Sequence, residues 1–183
     1  GVVTAQDSVQ NQIVFNLPQG KNFYTLDQLI MLNIIAANAW KRPICFTSPD
    51  GSLGFSTYLR QQGLVYQLVP TIDNNQRRRN IETDTTQKLL MNVFRGGNAS
   101  NPGVYFDEEN RRHLLNIRSI YADQAAALAE KGQRPEAVNV LQKAESLMNP
   151  KAFPYAMTSS VQNQNNHNRV GLLYLEAAYK AGH

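Results

Sequence analysis

The sequence predicts an α/β half followed by an all-α half: a small three-stranded, mostly parallel α/β unit packed with a helical hairpin. Two observations carry this. Up to about residue 105, short apolar runs stopped by Pro or Gly alternate with helix-period segments. Beyond it, Tyr121, Ala125, Leu128, Gly132, Ala137, Leu141, Ala144 and Pro150 fall at the spacing of two antiparallel helices joined by a tight turn. With 183 residues, 42% of them hydrophobic and 17% charged, the chain can bury a sizeable core.

Residues 1–11 are polar and are expected to fray. Ile13 to Leu17 reads as a strand stopped by Pro18 and Gly20. Thr25 with Gln28 forms a capping box that opens a helix to about Ala39. Its apolar residues Leu26, Leu29, Ile30, Ile34, Ile35 and Ala37 cover more than a narrow stripe, so it is expected to be well buried. Trp40 to Pro43 ends it, and Ile44 to Thr47 reads as a strand. Pro49-Asp50-Gly51 is a turn. Leu53 to Gln62 is expected as a short helix closed by Gly63, then Leu64 to Val69 as a strand ended by Pro70. Strands separated by helices imply parallel pairing through right-handed crossovers. Residues 71–83 read as loop, Asp84 to Arg95 as a helix stopped by Gly96-Gly97, and 98–103 as a turn.

Helices follow at about 108–131, 134–148 and 168–181, with an Asn/Gln-rich loop over 158–168. The hairpin within them is similar to a tetratricopeptide repeat. Small residues at Ala125 and Ala137 let the helices approach, Leu128 and Leu141 fill the seam, and Gly132 permits the turn. Such a hairpin cannot bury its apolar face alone, which makes it a docking or scaffold element. The expected domains are 1–11 as a frayed start, 12–105 as the α/β unit and 106–183 as the helical unit, the last two in one compact body. The chain begins with Gly, and Gly171 to His183 reads as half of a further hairpin. Both features suggest a piece of a larger protein.

Net charge is +4, from 18 basic and 14 acidic residues. The only dense basic run, Arg77 to Arg79, has no interleaved aromatics, so it reads as a solvated loop and no nucleic-acid partner is expected. The single cysteine, Cys45, sits in an apolar run and is expected to be a buried small hydrophobe. His113, His167 and His183 show no ligand spacing, so no metal or cofactor is expected. No run is apolar enough to span a membrane. Asp107 to Glu109 sit where a helix begins and read as caps before they read as glycosidase acids. No nucleophile elbow, P-loop or dinucleotide fingerprint occurs.

Several ordered segments carry a family resemblance: Trp40-Lys41-Arg42-Pro43-Ile44, Gly63 to Pro70, Met91 to Gly97, Asn101 to Glu108, the hairpin, and Pro154-Tyr155. Together they resemble the C-terminal soluble region of multi-span membrane proteins common in Bacteroidetes, whose membrane half is similar to protein O-mannosyltransferases. The resemblance covers most of residues 35–156. It implies a non-catalytic accessory domain on the periplasmic side of the inner membrane, partnered by its own membrane domain and by a protein or glycan acceptor. Catalytic carboxylates would lie in the membrane half, so none is assigned here.

Within the chain, the binding candidates are Trp40, Arg42, Tyr66, Arg111 and Arg112. Trp40 and Arg42 stand at a helix-to-strand junction, the position where open α/β sheets form crevices. Their alternative is structural, with Trp in the core and Arg capping carbonyls. Two other functions stand beside the accessory domain. One is a free-standing hairpin-repeat adaptor. The other is an α/β enzyme, which needs a cleft gathering Arg42, Asp50 and Tyr66.

Overall fold

The computed structural model describes residues 9–15, 17, 20–49, 53, 54, 56–72, 80–155 and 164–183, with backbone alone for 164–168. The chain divides into two compact units, Gly1–Glu82 and Thr83–His183.

In the first unit, α1 spans Leu26–Asn38. The Thr25 N–H donates to Gln28 Oε1 at 3.0 Å, completing the expected capping box. The helix stops at Ala39 and Trp40, whose φ values of +43° and +62° are left-handed without glycine. Asn38 clasps the exit: its Nδ2 donates to Arg42 O at 2.6 Å and its Oδ1 accepts from Arg42 N at 3.2 Å. After β1 (Cys45–Phe46) come a 3₁₀ turn (Ser56–Tyr58), β2 (Leu59–Gln62) and β3 (Val65–Leu68).

The sheet runs β1-β3-β2 and both pairings are antiparallel. This corrects the mostly parallel expectation. The segment expected as a crossover helix is instead the 3₁₀ turn and β2. Gln62 pairs with Val65, leaving only Gly63 and Leu64 in the connection. A two-residue link can join only antiparallel strands. Gly63, with φ +60°, takes the first corner position. A helix stop and a hairpin corner both need positive φ there, so the glycine does not distinguish them.

The core of this unit gathers Leu53, Tyr58, Leu59, Tyr66 and Leu68, packed with Ile13, Phe15, Met31, Leu32, Ile35 and Phe46. Ile13 and Phe15 turn inward and Val14 outward, as an alternating strand would, yet no ladder forms at the described residues 13–15 and 17. Residues 9 and 10 are held: Val9 bridges Thr71, and Gln10 N–H donates to Pro70 O at 2.7 Å. The rest of the expected frayed start, residues 1–8, lies outside the described residues, as do Asp50, Gly51 and Arg77 to Arg79.

Two burial expectations are overturned. Cys45 is exposed, because it alternates with the half-buried Phe46 on edge strand β1. Helix α1 is apolar on every side, but only its Met31, Leu32, Ile35 face joins the core, and Gln28 is its one buried residue.

In the second unit, the helix expected over 84–95 is two pieces, α2 (Thr83–Lys88) and a π turn (Leu89–Val93). Phe94 N–H donates to Leu89 O at 3.0 Å, and the Leu90 carbonyl accepts instead from the Tyr121 hydroxyl at 2.8 Å. Three longer helices follow: α3 (Glu108–Glu130), α4 (Arg134–Leu147) and α5 (Gln164–Ala181). Asp107 Oδ1 caps α3, accepting from Asn110 N at 2.8 Å. Pro135 lies in the first turn of α4, where its missing N–H costs nothing. Tyr121, Ala125, Leu128, Ala137, Leu141 and Ala144 all enter one core, joined by Val140 and by Tyr174 and Ala177 of α5. A smaller cluster of Ala99, Met148 and Phe153 receives Phe106 edge-on, with ring centroids 5.2 Å apart.

Candidate functional site

The site is a groove beside α5 in the helical unit, of about 650 Å³, lined by Glu145, Tyr155, Gly171, Leu172, Tyr174, Leu175, Ala178 and His183. Its apolar wall comes from one flank of α5. The helical period sends Tyr174, Ala177 and Ala181 to the core and leaves Leu172 and Leu175 exposed.

Its polar floor is Glu145 of α4 with Tyr155, Tyr174 and His183, and Arg118 of α3 anchors the loop that carries Tyr155. Arg118 is 3% exposed and shares the inner face of α3 with Leu115 and Ala122. Its Nη2 donates to Phe153 O at 2.7 Å and its Nη1 lies 3.4 Å from Pro154 O. The guanidinium carbon stands 4.5 Å from the Tyr155 ring centroid. Arg118 thereby fixes the 153–155 loop, and the loop presents Tyr155 to Tyr174 with centroids 5.1 Å apart. The Tyr174 hydroxyl is 3.0 Å from both Leu141 O and Glu145 Oε1, and His183 Nε2 is 3.4 Å from that same carboxylate oxygen.

Burial lowers the Arg118 pKa. Burial raises that of Tyr155, and raises that of Tyr174 further with the Tyr155 and Glu145 charges nearby. Both phenols therefore hold their protons at neutral pH, when they are hydrogen-bonding groups rather than bases or nucleophiles. The floor offers hydroxyls and one carboxylate beneath an apolar wall. That is the composition of a binding surface.

The residues singled out from the sequence lie elsewhere. Trp40 and Arg42 are exposed at the end of α1. Tyr66 is 7% exposed; it belongs to the core of the first unit, opposite Phe46 in the sheet. Arg111 is half-buried on α3, and Arg112 and His113 pair with Glu109 at the surface. The cleft required by an enzyme reading would include Asp50, which lies outside the described residues. Among the described residues no group of three or more His, Cys, Asp or Glu could hold a metal ion. Sequence reasoning missed Arg118, Glu145 and Tyr174. The one available signal was a cation within the apolar stripe Leu115, Arg118, Ala122.

The fold is thus a two-unit mixed α/β chain with an apolar-walled groove on its helical unit. Residues 1–87 match the family model of TMEM260-associated domain 2, a similarity that covers the first unit and ends within α2. No curated protein and no solved structure matches the chain. Among the described residues no helix is long and apolar enough to cross a membrane.

Proposed function

We propose that this chain is a non-catalytic accessory region of a glycosyltransferase-like integral membrane protein, and that its helical unit docks a protein or glycan acceptor. The groove carries the reading: an apolar wall on α5 over a floor of protonated tyrosines and Glu145. Support for the membrane-protein setting comes from the match of residues 1–87 to a domain named for its association with TMEM260. The ordered segments from Trp40 to Tyr155 support it further, as does the tetratricopeptide-like spacing of the hairpin. The periplasmic side of a bacterial inner membrane is part of the same proposal.

An antibody against this chain, used on fractionated native cells, tests the setting. A membrane band far larger than 20.5 kDa is expected. A band of that size outside the membrane fraction would replace the reading with a free-standing adaptor. Leu175→Glu tests the groove: Leu175 is exposed, so the fold is retained while acceptor capture by the parent protein falls at least about tenfold. Unchanged capture overturns the docking role.

A further inference from the structure

Helix α1 leaves half of its apolar circumference open. Leu26 is 74% exposed and Ile34 57%, with Leu29 and Ile30 between them. Positions 26, 29, 30, 33, 34 and 37 form one continuous face, with Asn33 as its only polar member. Two aromatics bracket the face, Phe23 before the helix and Trp40, 52% exposed, after it. Cations bracket it as well: Lys21 ahead, Lys41 and Arg42 behind, all exposed. Asp27 is the one acid in residues 21–49. The helix has 13 residues and so is roughly 20 Å long, too short to span a bilayer and long enough to lie along one.

We infer that α1 seats on the interface of a bilayer containing anionic lipid, with its open face in the acyl boundary and Lys21, Lys41 and Arg42 at the headgroups. Charge selects this occupant over a second copy of the chain. Antiparallel pairing of two α1 faces would set Lys21 against Lys41 and Arg42 of the other copy. Parallel pairing would set each cation against its own equivalent. Both arrangements repel, whereas an anionic surface neutralises every one of these charges. The aromatic at each end matches the preference of amphipathic rings for the headgroup level. This inference does not rest on the groove, and Leu175→Glu leaves it unaltered.

Trp40 is the only tryptophan in the chain, so it reports the contact directly. The purified chain is titrated with vesicles of phosphatidylcholine, with or without phosphatidylglycerol. Sedimentation with the phosphatidylglycerol vesicles is expected, with a blue shift of Trp40 emission that weakens as salt rises. The double variant Ile30→Gln/Ile34→Gln, altered only at exposed positions, abolishes the shift. The triple variant Lys21→Gln/Lys41→Gln/Arg42→Gln lowers partitioning at least about tenfold. Circular dichroism confirms that both variants keep their fold. Absence of partitioning overturns the inference, and so does partitioning that both variants leave unchanged. Self-association removed by the Ile variant would assign the face to a second copy instead, and would equally overturn it.

Discussion

Gly171 stands inside α5, where glycine ordinarily costs a helix about 1 kcal/mol relative to alanine. A Cβ at this position would lie 2.7 Å from the Tyr155 carbonyl oxygen, a backbone atom that cannot swing aside. Gly171→Ala is therefore expected to destabilise the helical unit by about 1–3 kcal/mol despite its better propensity, as a lower midpoint in urea would show. In the sequence Gly171 is only a weak spot in a helical pattern; the returning loop gives it a purpose. Arg118 is similar. Its charge marks it for the surface, and its burial makes sense only with the carbonyls of Phe153 and Pro154 as acceptors. Neither residue could be assigned to the groove from its neighbours in sequence, because each acts on a segment about 16 to 36 positions away. Tyr66 shows the converse, lying in the core of the first unit. Strand residues alternate between core and surface, and the sequence did not specify which face would be covered.

Elements whose signals are local were legible. The capping box of Thr25 and Gln28 places the start of α1, and Asp107 places the start of α3. The small-residue spacing of α3 and α4 is matched by burial of Ala125, Ala137 and Ala144. The β2–β3 hairpin was not legible, since Gly63 answers to two turn types. Its role can be tested. Gly63→Ala puts a Cβ on a residue with φ +60° and is expected to cost the first unit about 1–2 kcal/mol. Urea unfolding followed by Trp40 fluorescence reads that unit selectively, because the only tryptophan lies within it. An unchanged midpoint would mean that the corner is not held in the left-handed region.

At the scale of the whole molecule, the helical unit carries three phenols whose protons are held more tightly than usual: Tyr121, Tyr155 and Tyr174. Burial pushes the Tyr121 pKa from 10.0 up to about 12. A raised folded-state pKa means that the stabilisation is complete below pH 10 and is lost as pH climbs through about 12. For Tyr121 alone the loss is on the order of 2–3 kcal/mol. Unfolding free energies measured from neutral pH upward should fall across that window. In Tyr121→Phe the starting stability is lower by about 1 kcal/mol, from the lost bond to Leu90 O, and the alkaline fall is shallower.

The sequence by itself determined where α1, α3 and α4 begin, that α3 and α4 form a close hairpin, and that two kinds of structure follow one another along the chain. These depend on contacts within a few residues, through caps and helical period. Tertiary structure alone decided the antiparallel order β1-β3-β2, the exposure of Cys45 and of half of α1, and the assembly of the groove from Glu145, Tyr155 and Tyr174, with Arg118 holding the Tyr155 loop. Each of these depends on which apolar surface finds a cover. A helix apolar on every side, or an apolar run beside a glycine, does not reveal that until distant segments return to meet it.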